Sequence, residues 1–383
     1  MEFSGRLAIQ QRVLPDYRRG LFEMMARSCR GGVSLFAGYP RRGEGIVPAA
    51  EIGSAHWEQA RNVHLLGGPF YLCLQPGITN WLEKFQPDVL VIEANPREVT
   101  NLLASAWMRR RDRPVLGWGL GAATGGGVTA SIRRALRRAS LGGLSGVIAY
   151  STRGKREFEA LGFPPSRVFV APNAIAPRPS ISVRESRSRG VEESRSGRQP
   201  ARGQGRDAPP RLLFVGRLQS RKRVDLLLEA CASLAEPVEL WIVGDGPARS
   251  DLESLARRVL PTAEFHGDQR GPALESLFDR ADLFVLPGTG GLAVQQALAH
   301  GLPVIVARGD GTQQDMVTPE NGWLVADGDR TGLEAAIATA ISDRTRLEAM
   351  GRESRRLAVS QFNLEAMVEA FLVAVNSVAG EGG

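Results

Sequence analysis

Short apolar runs of strand length alternate with helically spaced apolar positions along most of the chain. Arg6 to Gln10 and Val33 to Ala37 read as strands. Between them Leu21, Phe22, Met25 and Ala26 form a helical stripe, with Asp16 placed to cap it after Pro15. The stretch from Tyr39 to Gly68 is punctuated by glycine and proline and predicts no element. The alternation then resumes: a helix over Ile78 to Phe85, a strand Val89 to Ile92, a further helix, and strands Pro114 to Trp118, Gly146 to Tyr150 and Val168 to Ala171. Ser151 opens a helix through Lys155 to Leu161 before the last of these.

From Ala176 to Pro210 serine, arginine, glycine and proline dominate and large apolar residues are few. Such a segment cannot bury enough surface to offset its ordering entropy, so the pattern predicts a flexible linker. Strands then restart at Arg211 to Val215, Val238 to Val243 and Glu264 to Gly267, with helices over Val224 to Leu234 and Leu274 to Arg280. The chain closes with helices over Arg330 to Ser342, Arg344 to Val359 and Leu364 to Val378. Strand–helix alternation on both sides of the linker predicts an α/β protein of two doubly wound halves. The expected domains are 1–175, a linker 176–209, and 210–362, with the helix over 363–379 able to pack back on the first domain.

One stretch organises the second half. Leu283 to Leu286 is a strand closed by Pro287; Gly288, Thr289, Gly290 and Gly291 make a turn; helical spacing begins at Leu292; and Gly301-Leu302-Pro303 stops that helix before the strand Val304 to Val306. A glycine turn opening a helix presents unpaired N–H groups and the positive end of the dipole, which suits phosphate. The local pattern also fits a tight turn with no ligand.

Composition narrows the options. The chain has 383 residues, 43% of them hydrophobic and 23% charged, as in a globular protein of two domains. No apolar run approaches a membrane span, no secretory pattern follows Met1, and the three cysteines show neither pairing nor metal spacing, so a reducing cytoplasm is expected. The net charge is +7, yet the basic residues are spread out and no aromatic-basic motif appears, which argues against nucleic acid. Arg133, Arg134, Arg137 and Arg138 share one side of a helix opened by Gly125-Gly126-Gly127. They read as a solvated face, with an anionic membrane surface as the alternative partner.

Lysine occurs only at Lys84, Lys155 and Lys222 in a chain where arginine fills nearly every basic position. Lys222 therefore marks a site wanting a compact ammonium, and with Arg217 it sets two cations at the carboxyl end of a strand. Glu93, followed by Asn95-Pro96-Arg97, ends an apolar strand at the edge where open parallel sheets bind ligands.

Leu283 to Val304 resembles the signature region of the family-4 glycosyltransferases, retaining enzymes of the GT-B fold that use nucleotide-diphospho sugars. His300-Gly301-Leu302-Pro303-Val304 fits that signature, whereas its two glutamate positions fall on Gly288 and Gln296. The segment 88–121 resembles a branch with E-x-N-P-R followed by W-G-H-G, with Leu120 at the histidine. The resemblance implies two Rossmann-like domains facing across a cleft. A sugar would move from a nucleotide-diphosphate donor to a glycan, lipid-linked or small-molecule acceptor, with no cofactor or metal required. It implies Arg217, Lys222 and Glu93 as catalytic residues. Donor contacts would fall to Gly216, Gly288, Thr289, Gly290, Gly291, Leu292, Gln296, Asp245, Gly267 and Asp315. Gln296 can still hydrogen-bond a ribose hydroxyl. Asp327-Gly328-Asp329 reads as structural, and His300 as a cap against the helix dipole. The implied location is the cytoplasm, with a peripheral place on the inner membrane face as an extension. A degenerate GT-B protein binding a nucleotide sugar or a partner enzyme, or an epimerase or phosphorylase on the same fold, are the other readings.

Overall fold

The computed structural model describes residues 1–41, 43–68, 71–121, 137–138, 141–180 and 208–380. Gly125-Gly126-Gly127, Arg133, Arg134 and most of the expected linker lie outside them. Two compact units form: Met1–Ile175 with Leu364–Gly383, and Ala176–Asn363.

The first unit is built on strands β1 (Leu7–Val13), β2 (Val33–Gly38), β3 (His56–Gln59), β6 (Val89–Glu93), β7 (Val115–Gly119), β8 (Gly146–Ala149) and β9 (Val168–Val170); β4 (Val63–Leu65) and β5 (Leu72–Leu74) make a separate antiparallel hairpin. Its seven-stranded sheet runs β3-β2-β1-β6-β7-β8-β9, parallel throughout. Parallel strands are covered on both faces. Leu7 and Ile9 accordingly join a core with Phe22, Trp118 and Phe371, while Ala8 joins Trp81, Leu90 and Met108 on the other side. The helix Leu364–Ala379 supplies Met367, Phe371 and Val375 to the first of these cores. One stretch, Arg344–Ala379, is long and apolar enough to cross a membrane, which the sequence reading did not expect. It is two helices, Arg344–Ser360 and Leu364–Ala379, and 56% of its most apolar window is buried.

Two local expectations are corrected. Asp16 does not cap the first helix: it begins a 3-10 turn, Asp16–Arg18, and the α-helix Arg19–Ser28 follows with no side-chain cap. The unassigned stretch contains β4 and β3; the latter is an edge strand with one apolar residue, Trp57, among polar ones, and it exists by pairing with β2.

The second unit carries β10 (Arg211–Val215), β11 (Glu239–Val243), β12 (Glu264–Gly267), β13 (Leu283–Leu286), β14 (Val304–Ala307) and β15 (Gly322–Val325). They form a parallel sheet in the order β12-β11-β10-β13-β14-β15 around one continuous apolar core. The order reverses between β10 and β13, and the crevice at such a switch point is where ligands sit in doubly wound folds. Asp329 caps the helix Arg330–Ile341, its carboxylate accepting from the Gly332 N–H at 2.8 Å, which gives the D-x-D a structural role.

Candidate functional site

Four turns meet at the carboxyl edge beside β10 and β13. Gly216 follows β10, the 3-10 turn Ser220–Lys222 comes next, 287–291 follows β13, and 309–313 follows β14. They are locked backbone to backbone. The Thr289 N–H donates to the Arg221 carbonyl at 3.1 Å, and the Arg221 guanidinium reaches the Thr289 hydroxyl at 3.1 Å. Gln313, fully buried, donates from Nε2 to the carbonyls of Gly288 (3.3 Å) and Ala307 (3.1 Å).

These contacts account for the glycines. A Cβ on Gly288 would meet the Arg221 carbonyl oxygen and the Lys222 carbonyl carbon, the latter at 2.6 Å, so a glutamate has no room there. Gly290, at φ +134°, would set its Cβ on Lys222 Nζ, and Gly291 would set its own 2.7 Å from the Thr312 hydroxyl. The structure puts the Lys222 ammonium and Thr312 in those places.

Lys222 is half-buried, and its pKa is pushed down to about 8, first by burial and then by neighbouring Arg221, with Asp310 pulling the other way. Asp310 is held by Thr312, whose N–H (3.0 Å) and hydroxyl (2.6 Å) both donate to its Oδ1. Beyond Gly291 the helix Leu292–Ala299 starts with no side-chain cap among the described residues, leaving its first N–H groups and positive end open to an anion. A cation held over a glycine turn, beside an open helix start, is an arrangement for a diphosphate.

The structure thus brings together Gly216, Lys222, Gly288, Thr289, Gly290, Gly291 and Leu292, with half-buried Gln296 one turn further along. Arg217 is half-buried at the end of β10. Asp315 lies in the turn Gln314–Met316, which abuts Gly291 through the Met316 methyl. Gly267 accepts from the Gly244 N–H at 2.7 Å further along the edge. Asp245 is engaged locally, accepting from the Gly246 N–H at 2.7 Å and facing Arg249 at 3.9 Å. His300 stands at the C-cap of the helix Leu292–Ala299, where it was expected; its Nδ1 pairs with Asp279 at 3.0 Å and its ring stacks on Phe278.

Glu93 belongs to the first unit. Its carboxylate accepts from the Arg12 N–H at 2.9 Å; burial raises its pKa, against the pull of that N–H and of the charges on Arg12 and Arg18. Glu98 is 2% exposed; burial and then Glu93 push its pKa to about 7, with the weak donor Cys73 pulling the other way. Leu120 is exposed at the end of the same sheet edge. Arg137 is half-buried and donates to the Gly121 carbonyl, and burial lowers its pKa, so it does not stand on an open arginine face.

Sequence reasoning missed Gln295 and Gln313. Gln295 is fully buried, donates from Nε2 to the Phe362 carbonyl (2.9 Å) and accepts from the Ala176 N–H (2.9 Å), tying both ends of the second unit to the signature helix. Its place among Val294, Ala297 and Leu298 on the buried face was the available signal. Gln313 gave none, because its partners are carbonyls 25 and 6 residues away.

Comparison with known proteins gives the family and the fold. Residues 209–343 match the family described as glycosyl transferases group 1, and residues 16–174 match the glycosyl transferase 4-like domain. A GDP-mannose-dependent alpha-mannosyltransferase of Mycolicibacterium smegmatis is 40% identical over 153 residues, 39% of each chain. The lipopolysaccharide core biosynthesis glycosyltransferase LpsE of Rhizobium meliloti is 36% identical over 176 residues, 43% of this chain and 49% of that one. The alignments therefore span less than half the length of these relatives. In fold, Anabaena Alr3699/HepE, solved with UDP, superposes with a TM-score of 0.71 over 98% of this chain and 100% of its own, at 16% identity. The chain belongs to the family-4-like glycosyltransferases of the GT-B fold.

Proposed function

We propose that this protein is a retaining glycosyltransferase that takes a sugar from a nucleotide-diphosphate donor bound by the second unit. The observation that carries the reading is the Lys222 ammonium lying over Gly290 beside the open start of the helix Leu292–Ala299. As the glycosidic bond breaks, negative charge grows on the leaving diphosphate. A preorganised ammonium with backbone N–H groups stabilises that charge, and Arg217 adds a second cation. No side-chain nucleophile is needed: the sugar passes through an oxocarbenium-like state while the acceptor hydroxyl attacks from the leaving-group side. Gln296 replaces an acid as the ribose contact, and Asp315 and the turn N–H groups meet the sugar hydroxyls.

Glu93 and the carboxyl edge of the first unit form the acceptor side in this reading. The acceptor is a glycan, a lipid-linked sugar or a small molecule, and the protein works in the cytoplasm, with peripheral membrane attachment as the extension. The named donor of the mycobacterial relative and the UDP in the Anabaena structure set the first candidates. Panels of GDP- and UDP-sugars assayed for binding, hydrolysis and transfer test the proposal. Turnover with at least one donor, lost in Lys222→Ala, is expected. Binding without turnover of any donor would favour a catalytically degenerate sugar-nucleotide binder.

A further inference from the structure

Arg18 is a buried cation without a counter-ion in contact among the described residues. It is 5% exposed, yet it has no ion pair among the described residues, and its side chain makes one hydrogen bond, from Nη1 to the Met367 sulfur at 3.7 Å. A thioether is a weak acceptor, and a guanidinium has five N–H donors to place. Removing such a group from water is expensive unless it is paired.

Its surroundings offer faces rather than acceptors. The guanidinium carbon lies 4.9 Å from the ring centre of Trp118 and 5.5 Å from those of Tyr17 and Tyr150. Each cation–π contact attracts the guanidinium to a ring face, but none takes up an N–H in its own plane. Trp118 adds a second donor in excess: its Nε1–H is buried and has no acceptor among the described residues. The acid that acts on Arg18 through space, Glu93, already receives the Arg12 N–H and is itself held toward its neutral form by burial. The helix that begins at Arg19 has neither a side-chain cap nor an acid in its first turn. Two buried donors, the Arg18 guanidinium and the Trp118 N–H, therefore lie side by side at the carboxyl edge of the first unit with no acid hydrogen-bonded to either among the described residues.

We propose that Arg18 anchors a phosphate group of the acceptor, seated between its guanidinium fork and the Trp118 N–H. The assignment to the acceptor rests on the transferase reading above; the phosphate site itself does not. A planar fork binds two phosphate oxygens at once, which a lysine at this place could not do. Tyr17, 47% exposed, is the most open of the three rings, and the phosphate enters past it. The phosphate is carried either by a lipid headgroup or by a soluble phosphorylated sugar.

The test uses the full chain carrying Lys222→Ala, so that the cradle of the second unit is weakened, with inorganic phosphate titrated by calorimetry. Binding is expected to persist in this background and to fall about tenfold or more on adding Arg18→Met. The melting temperature should hold or rise, because methionine fills the box without a buried charge. Trp118→Phe keeps the ring, removes the N–H and should weaken phosphate several-fold, which serves if Arg18→Met does not fold. Vesicles of phosphatidylcholine with phosphatidic acid that retain the parent and not Arg18→Met would assign a lipid headgroup. Phosphate binding without vesicle retention would assign a soluble acceptor. Equal phosphate affinity with and without Arg18, or with and without the Trp118 N–H, would overturn the site. Nucleoside diphosphate binding to Arg18→Met in the otherwise native chain is measured alongside. Its retention keeps the transferase reading standing whichever way the phosphate result falls.

Discussion

The ammonium of Lys222 occupies the space that any side chain at Gly290 would need. The cation and the glycine turn are thus one device, although 68 positions separate them in the numbering. Valine at Gly290 would both push Lys222 away and strain a backbone at φ +134°, which β-branched residues disfavour by about 1–3 kcal/mol. Gly290→Val should lower donor affinity tenfold or more in a protein that still melts cooperatively, as calorimetric titration and a thermal melt would show.

Gly288 and Gln296 should behave in opposite ways when the glutamates of the signature are restored. Gln296 is half-buried on the helix and near-isosteric with glutamate, so Gln296→Glu should keep transfer within a few-fold. Gly288→Glu drives a Cβ into the backbone of Arg221 and Lys222 and should destabilise the second unit by about 1–3 kcal/mol. Equal stability of the two variants would contradict the packing described.

Donor binding should weaken as pH rises through about 8. The free protein loses the Lys222 proton there, while a bound diphosphate favours the charged form and raises the pKa. Between the free and bound pKa values, binding must take up a proton, so affinity falls up to about tenfold per pH unit. Lys222→Ala should lose about 1.5–3 kcal/mol of affinity at pH 7 and show a flatter profile. Affinities measured from pH 6 to 9.5 in both proteins check this.

The long apolar strands were legible in the sequence because buried parallel strands read as unbroken runs: Val89–Glu93 and Leu283–Leu286 are examples. His56–Gln59 was not, since an edge strand owes its existence to the partner beside it rather than to its own pattern. At the site, Lys222 stood out by composition and the glycines by spacing. The reason Gly288 must be glycine did not: it is the backbone of a turn 66 positions earlier in the numbering, and only the folded sheet brings the two together. Gln295 and Gln313 were hidden likewise, because their partners are main-chain groups with no sequence signature.

Glu98 makes stability depend on pH. Its folded pKa, about 7, lies above the ordinary carboxylate value, so in the unfolded chain it ionises first. Between about pH 4.5 and 7 the folded state holds the extra proton, and stability from this group falls as pH rises through that window. Glu98→Gln should remove the loss and raise stability at pH 8, on the order of 3 kcal/mol, with little change at pH 4.5. Denaturant titrations at both pH values measure it, and an unaltered pH profile in the variant would refute the assignment.

Gln295→Leu should lower the stability of the second unit by about 1–3 kcal/mol, because the Ala176 N–H and the Phe362 carbonyl lose a buried partner. Chemical denaturation of the variant, followed by a probe in that unit, gives the value.

The first unit closes its core with Met367, Phe371 and Val375, residues made after the whole of the second unit. A polypeptide emerges from the ribosome in order, and domains commonly fold as they appear. Here the amino-terminal half must wait, its apolar face uncovered, while the carboxyl-terminal half is synthesised and can already fold. The newborn chain is therefore most exposed to aggregation and chaperones through its oldest part. A premature stop after Asn363 would damage the half that was translated first.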